Sequence, residues 1–403
     1  MANFSSDKTA GAASHHAVLA GFLGWTLDAF DFFVVIFLFD TLAHQFGVTK
    51  KDIVLTTWAT LAMRPFGALL FGLLADRYGR RVPLMANVIY FSVIELLCGF
   101  APNFTTFLIL RAMFGIGMGG EWGVGASLAM EAAPKRLRGV LSGLLQSGYP
   151  IGNLLAALAA KTILPHWGWR PVFWVGALPA LLALYIRTKV PESKAWKENR
   201  AETTGQVLKT VGRDWKLFSY LVVLMTFMMF LSHGTQDLYP DFLKEVHKVS
   251  DSVRANIVII ANLGAVVGAV IFGQLSQVAG RRKGMLAALL LALCVIPLWA
   301  YGSGLPMLVL GAFLMQAGVQ GAWGVIPVHL NELSAAAARG LMPGLAYQLG
   351  ILIASPTNSI QYALFGHFGY QTALAGFEVC TIVALSLLLW RGIEAHNKDF
   401  HNG

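Results

Sequence analysis

Twelve runs of about twenty predominantly apolar residues recur along this chain, and no other feature narrows its possible folds as much. Their approximate limits are 17–39, 53–75, 82–101, 104–130, 139–164 and 169–187, then 217–240, 253–278, 284–301, 305–330, 341–364 and 371–390. A run of that length is what a helix needs to cross the hydrocarbon core of a bilayer. Lipid cannot hydrogen-bond a bare backbone, so these segments must be helices. They are called spans 1 to 12 below. Composition agrees: of 403 residues, 56% are hydrophobic and only 13% charged, against roughly 25% charged in soluble domains. Disordered, collagen-like and disulfide-rich chains are excluded. A globule of this size could not cover its surface with so few charges, which excludes an ordinary soluble enzyme. What remains is an all-α polytopic membrane protein.

The net charge of +9 invites a nucleic-acid reading, but its placement argues against one. The lysines and arginines cluster in short loops between the apolar runs, as loops retained on the cytoplasmic side do. With the N-terminus, the even-to-odd loops and the C-terminus on one side, that side holds 21 of the 30 basic residues. Both termini are therefore expected in the cytoplasm. Residues Met1 to His16 are polar and lack a signal-peptide core, so the first span is expected to act as an uncleaved anchor. Cys98, Cys294 and Cys380 each lie inside an apolar run, too far apart for a metal-ligand pattern. No metal or cofactor is expected.

The longest connection, about Thr188 to Trp215, is rich in Lys and Glu and divides the spans six and six. The expected organisation is a cytoplasmic tail over 1–16, a six-helix bundle over 17–188, a cytoplasmic linker over 189–215, a second bundle over 216–391 and a tail over 392–403. The halves repeat one another at an offset of 201 residues. Gly72-Leu73-Leu74-Ala75-Asp76-Arg77-Tyr78-Gly79-Arg80-Arg81 after span 2 matches Gly273 to Arg282 after span 8. Gly120-Glu121-Trp122-Gly123 in span 4 matches Gly321-Ala322-Trp323-Gly324 in span 10. Glu131 with Arg138-Gly139 matches Glu332 with Arg339-Gly340. Three coincidences at one offset indicate duplication, and two six-helix halves around a central site are a transporter plan.

The Gly72–Arg81 loop resembles the loop between helices 2 and 3 of the major facilitator superfamily, and Arg111, Gly115, Gly117 and Gly119 resemble that superfamily's helix-4 pattern. The resemblance covers essentially the whole chain. It implies a fold of two pseudo-symmetric six-helix bundles. It also implies a cytoplasmic gate built from Gly72, Asp76, Arg77, Gly79, Arg80 and Arg81.

Charges near the membrane centre cost at least ~2.5–3.5 kcal/mol each on insertion scales, so each is a site candidate by default. Asp28 and Asp31 stand i, i+3 on one face of span 1. Neighbouring buried carboxylates raise each other's proton affinity, which makes at least one a proton carrier, unless both are fixed in ion pairs. Arg64, half-way along span 2, keeps its charge in any surroundings and can grip a carboxylate with two hydrogen bonds. It is either an anion anchor or a permanent partner of Asp28 or Asp31. Arg111 and Glu121 share span 4. The superfamily resemblance implies that Arg111 engages a span-1 aspartate and releases it on protonation. Glu121 has only Ala322 as its repeat counterpart, which is hard to explain as scaffold. Glu95 and Glu378, in spans 3 and 12, are expected to be structural.

Span 7 holds Ser232-His233-Gly234-Thr235-Gln236-Asp237. His233 and Asp237 are i, i+4 neighbours, and histidine titrates nearest neutral pH. This run resembles the helix-7 motif of the Jen-type lactate permeases in the sialate:proton symporter family, where it is tied to binding and transport of monocarboxylates. Met229 and Asp241 depart from that motif. Tyr347-Gln348-Leu349-Gly350 in span 11 is similar to the same family, with Ile351 departing. Gln348, with Tyr149 and Asn153 of span 5, offers hydrogen bonds to a small substrate, or ties helices together.

These residues point to secondary active symport of a small monocarboxylate, such as lactate or pyruvate, with a proton. Arg64, His233, Gln236, Gln348, Tyr149 and Asn153 are the expected substrate contacts. Asp28, Asp31, Arg111, Glu121 and Asp237 are the expected coupling residues. The partners are then a small organic anion, a proton and the lipid bilayer, with no nucleic acid. A monomer in a plasma membrane, most simply a bacterial inner membrane, would suffice. The alternative keeps the fold and changes the cargo. The Asp-x-x-Asp of span 1 also resembles aromatic-acid and metabolite symporters, so an aromatic acid, sialate or a dicarboxylate stays open. An enzyme or sensor is disfavoured, because no P-loop, nucleophile motif, His-x-x-x-His pair or sizeable soluble domain appears.

Overall fold

The computed structural model describes residues 2–400, with side chains from His15 onward. The expected tail over 1–16 thus lies, up to residue 14, outside the described side chains, as do residues 401–403 of the C-terminal tail. Among the described residues there are only helices and connections. Nine helical segments are long and apolar enough to cross a membrane: His15–Phe37, Lys50–Tyr78, Arg81–Cys98, Arg170–Lys189, Trp215–Glu245, Asp251–Ala279, Arg281–Tyr301, Leu305–Leu333 and Tyr370–Arg391. They are spans 1, 2, 3, 6, 7, 8, 9, 10 and 12.

The other three spans are present but differ in form, each for a local reason. Span 4 is one unbroken helix, Phe104–Ala132, less apolar because Arg111, Glu121 and Glu131 lie within it. Span 5 divides at Ser147 into Arg138–Gln146 and Gly148–Thr162. Pro150 lacks the N–H that would bond the Gln146 carbonyl, and the Ser147 hydroxyl donates to Leu144 O at 2.6 Å. Span 11 divides at Ser355-Pro356 into Met342–Ala354 and Thr357–Phe368. The proline ends the first helix and starts the second.

Two apolar cores form. One lies wholly within residues 17–190. The other is centred on residues 221–400 and takes in Trp25, Trp122 and Met130 from the first half. The duplication survives in three dimensions. In the first bundle Gly67 lies so close to span 4 that a Cβ would land on the Ile116 carbonyl oxygen. In the second, Gly268 meets Ala317 in the same way, 201 residues on. Close helix approach through small residues is how membrane helices pack when no water drives them together. Between the bundles, span 5 packs on spans 8 and 10, and span 11 on spans 2 and 4.

Candidate functional site

A cavity lies between the bundles. The first contributes Phe32, Leu61, Arg64, Gln146 and Tyr149. The second contributes Met229, Ser232, His233 and Gln320, with Trp323, Tyr347 and Ile351 completing the wall. Spans 1, 2 and 5 therefore face spans 7, 10 and 11 across it. Span 7 starts at the linker, and His233 and Asp237 near its far end have side chains 35% exposed. The cavity is reached from the side opposite the linker.

Arg64 is its most informative residue. It is 3% exposed, yet Nε and Nη2 have no hydrogen-bond partner. Its guanidinium lies 5.7 Å from the Tyr347 ring centre, and the expected permanent pairing with Asp28 or Asp31 is not formed. Opposite, His233 Nδ1 lies 3.1 Å from Asp237 Oδ2, as the i, i+4 spacing implied. That oxygen also accepts from Asn358 Nδ2 at 3.1 Å, which fixes Asp237 between spans 7 and 11. The wall behind Arg64 is aromatic. Tyr149 stacks on Trp25 at 5.6 Å and Tyr347 on Trp122 at 4.5 Å.

The remaining expected substrate contacts are placed differently. Gln236 donates to Gln316 Oε1 at 2.8 Å, in the seam between spans 7 and 10. Gln348 donates to Gly119 O at 3.4 Å and ties span 11 to span 4. Asn153 is half-buried and outside the lining. Gln320 and Trp323 were not singled out from the sequence, although Trp323 is the repeat mate of Trp122. That symmetry was the signal available.

Behind the wall lies a cluster of carboxyl groups. Asp28, Asp31 and Glu121 are fully buried, and none of their carboxylate oxygens has a hydrogen-bond partner. The Glu121 carboxyl presses on Gly24, one helical turn from Asp28. Asp31 Oδ1 and the Glu95 side chain both crowd the Gly176 Cα. The sequence reading of Arg111 needs correction here. Its Nη1 donates to Glu95 Oε2 at 2.8 Å, not to a span-1 aspartate, because spans 3 and 4 are antiparallel neighbours whose register sets the two side chains opposite each other. Glu95 therefore holds a buried ion pair beside Asp31.

On the linker side the bundles are closed on each other. Asp76 accepts from Arg80 Nη1 at 2.5 Å and, across the interface, from the backbone N–H groups of Gly340 at 2.7 Å and Leu341 at 2.9 Å. Glu131 accepts from Arg80 at 3.0 Å and from Arg339 of the other bundle at 3.3 Å. The repeat supplies the mirror arrangement. Glu332 accepts from Arg281 at 2.8 Å and faces Arg138 at 3.9 Å. Burial alone would lower the Arg80 pKa, but Glu131 and Asp76 hold it above its ordinary value. Gly79 sits at φ 104°, a left-handed conformation that favours glycine, where the chain turns into span 3. Arg81 bonds the Arg187 carbonyl and, through its backbone N–H, Glu192 at 3.1 Å. Arg77 lies over the Tyr78 ring. Gly72 touches Leu341 across the seal. Among the described residues no metal-ligand cluster forms.

Two pseudo-symmetric six-span bundles, shut at one end and parted at the other around a central cavity, define a multi-pass membrane transporter. The family model of the Major Facilitator Superfamily matches residues 21–250, and that of "Sugar (and other) transporter" matches residues 216–391. The chain belongs to the Major Facilitator Superfamily. It is 31% identical to the carboxylic acid transporter protein homolog of Saccharomyces cerevisiae, over 88% of this chain and 62% of that protein, and so spans less than two thirds of it. It is 28% identical to the sialic acid transporter NanX of Escherichia coli over 95% of each chain. With a probable 4-methylmuconolactone transporter of Cupriavidus pinatubonensis it shares 30% identity over 89% of this chain and 85% of the other. The structure of the proton:xylose symporter XylE superposes with a TM-score of 0.77 at 19% identity, covering 97% of this chain and 98% of that one, which shows the shared fold.

Proposed function

We propose that this protein carries a small monocarboxylate, of the size of lactate or pyruvate, across a plasma membrane together with a proton. One observation carries the reading: a buried guanidinium, Arg64, with no carboxylate paired to it and with Nε and Nη2 unbonded, faces a cavity shared by both bundles with His233 on the opposite wall. A guanidinium left unpaired in an apolar interior costs several kcal/mol. A carboxylate arriving in the cavity removes that cost and is held by a charge-assisted pair of hydrogen bonds. The relatives named for carboxylic acid, sialic acid and 4-methylmuconolactone transport support an organic acid as cargo.

Charge balance supports the proton. Glu95 satisfies Arg111, and the cargo satisfies Arg64. Asp28, Asp31 and Glu121 then have no cation left in the first bundle, and ionised they would be as costly as the unpaired arginine. When the cargo leaves, Arg64 needs a new counter-charge, and losing one of these protons supplies it. One proton then moves with each monoanion. The cycle is electroneutral, and the pH gradient drives it. The linker-side seal and the 21 basic residues on that side support an outward-facing state with both termini in the cytoplasm. A monomer suffices, because one chain supplies both walls.

A second reading keeps the mechanism and changes the cargo to an aromatic acid. Phe32, Tyr149, Trp323 and Tyr347 line the cavity, and such faces suit a planar ring. A niacin transporter of Acinetobacter baylyi is 28% identical over 94% of each chain. Uptake of labelled lactate into proteoliposomes, in competition with pyruvate, benzoate, nicotinate, sialate and a dicarboxylate, separates the readings. Lactate uptake is expected to rise with an inward proton gradient, and pyruvate to compete best. Uptake indifferent to collapse of the gradient would sink proton coupling. Competition only by aromatic acids would move the cargo to the second reading.

A further inference from the structure

Beyond the repeat-built seal, a single aromatic side chain from the C-terminal segment enters the gate. Arg138 and Arg339 are repeat mates, 201 residues apart, one from each bundle, and each reaches toward the other bundle's glutamate. Both are buried. The Phe400 ring lies against both, its centroid 3.8 Å from the Arg138 Cζ and 4.2 Å from the Arg339 Cζ, and it is 0% exposed. Nε and Nη2 of Arg339 have no hydrogen-bond partner, so the ring face is what this part of the buried cation meets. An aromatic face attracts a guanidinium most strongly where water is excluded.

The ring is held in place from several sides. Lys398 O accepts from Arg138 Nη1 at 2.7 Å, Asp399 pairs with Lys135 at 2.7 Å, and Asn199 of the linker donates to Phe400 O at 3.4 Å. Asn397 accepts from Gln277 of span 8 at 2.8 Å. First bundle, second bundle and linker all grip the same short segment.

We propose that Phe400 is a positioning residue of the inner gate, a wedge whose ring faces hold the two repeat-related arginines together in the closed arrangement. Two like charges converge there, and the ring lets both be buried side by side. The linker carries the repeat mate of this segment, Glu192 receiving the N–H groups of Arg80 and Arg81 as Glu394 receives those of Arg281 and Arg282. At the offset of 201, however, Asn199 stands where the second copy has Phe400, so the ring breaks the two-fold relation of the gate. When the bundles part on this side, Arg138 and Arg339 separate and one ring cannot serve both. The contact thus belongs to the outward-facing state and biases the molecule toward it. This rests on the reading that the bundles rock about the cavity, but not on what the cavity carries.

The test needs no substrate. With Cys98, Cys294 and Cys380 replaced by alanine, Ala75→Cys places a reporter that is buried against Gly340 in the closed gate. Its labelling rate by a water-soluble maleimide is measured on the full chain in nanodiscs. Phe400→Ala and Phe400→Leu are expected to label roughly tenfold faster than the parent, and Phe400→Tyr, which keeps the ring face, within about twofold of it. Parental labelling of Phe400→Leu, or fast labelling of Phe400→Tyr, overturns the proposal. If Phe400→Ala is not monodisperse, the Leu and Tyr variants carry the comparison alone. Absent carboxylate uptake with the labelling difference intact would sink the cargo and leave the wedge. Normal uptake with uniform labelling does the reverse.

Discussion

Arg64 and Arg111 are two guanidiniums of one bundle with opposite circumstances, and their variants should differ accordingly. Arg111 is matched by Glu95 at 2.8 Å. Removing one partner of a buried pair leaves a charge uncompensated, at about 3–5 kcal/mol. Glu95→Ala is expected to lower the Tm by several degrees, and Glu95→Ala combined with Arg111→Met to recover part of it, as a thermal-shift double-mutant cycle would show. Arg64 has no such partner, so Arg64→Gln removes an uncompensated buried charge and should raise the Tm of the cargo-free protein by several degrees while abolishing uptake. Arg64→Lys keeps the charge but not the planar fork, and the apparent affinity for the acid should fall roughly tenfold or more. The sequence made Arg64 and His233 legible, because a charge or a histidine inside an apolar run stands out. It could not supply the Arg111–Glu95 pairing, which depends on the register of two antiparallel helices, nor show that Gln236 and Gln348 turn toward neighbouring helices. An amide in a span advertises hydrogen bonding without saying with what.

Helices divide in the same way between what patterning fixes and what it leaves open. Twelve apolar runs sufficed for the spans and their order. The breaks at Ser147 and Ser355-Pro356 fall in short polar stretches, Gln146-Ser147-Gly148 and Ser355-Pro356-Thr357-Asn358-Ser359, inside longer apolar runs. Hydropathy passes over them, although Pro150 and Pro356 mark the places. The repeat-related crossings of spans 2 on 4 and 8 on 10 are the tightest built elements, because carbonyl oxygens occupy the space where Gly67 and Gly268 would carry a Cβ. Gly67→Ala and Gly268→Ala should each destabilise by about 1–3 kcal/mol through overpacking, read as a Tm several degrees lower in thermal unfolding of the purified protein. A parental Tm in both would mean that these crossings yield more readily than their spacing implies.

Across the whole molecule, closure on the linker side sets which face is open. Asp76 accepts two N–H groups from the opposite bundle, and Asp76→Asn replaces one acceptor oxygen with a donor. Faster maleimide labelling of Ala75→Cys is expected in that background, together with slower uptake. The sequence marks the C-terminal segment over this gate only as a tail. Residues 392–400 carry no apolar period, and only the folded gate supplies the two arginines that give Phe400 a seat. A last consequence follows from where the ionisable groups sit. Among the described residues, Asp28, Asp31, Glu95, Glu121, Arg64 and Arg111 all belong to the first bundle. The second holds the His233–Asp237 pair and the buried carboxyl of Glu378, and brings His233, Gln320 and Trp323 to the cavity. On the proposed mechanism, the three unpartnered carboxyls that would move the proton ride with the anion anchor on one bundle, and the second bundle shapes the facing wall. A chimera keeping residues 1–215 and borrowing the second half of a related permease should inherit the donor's menu of acids while answering to the same pH gradient.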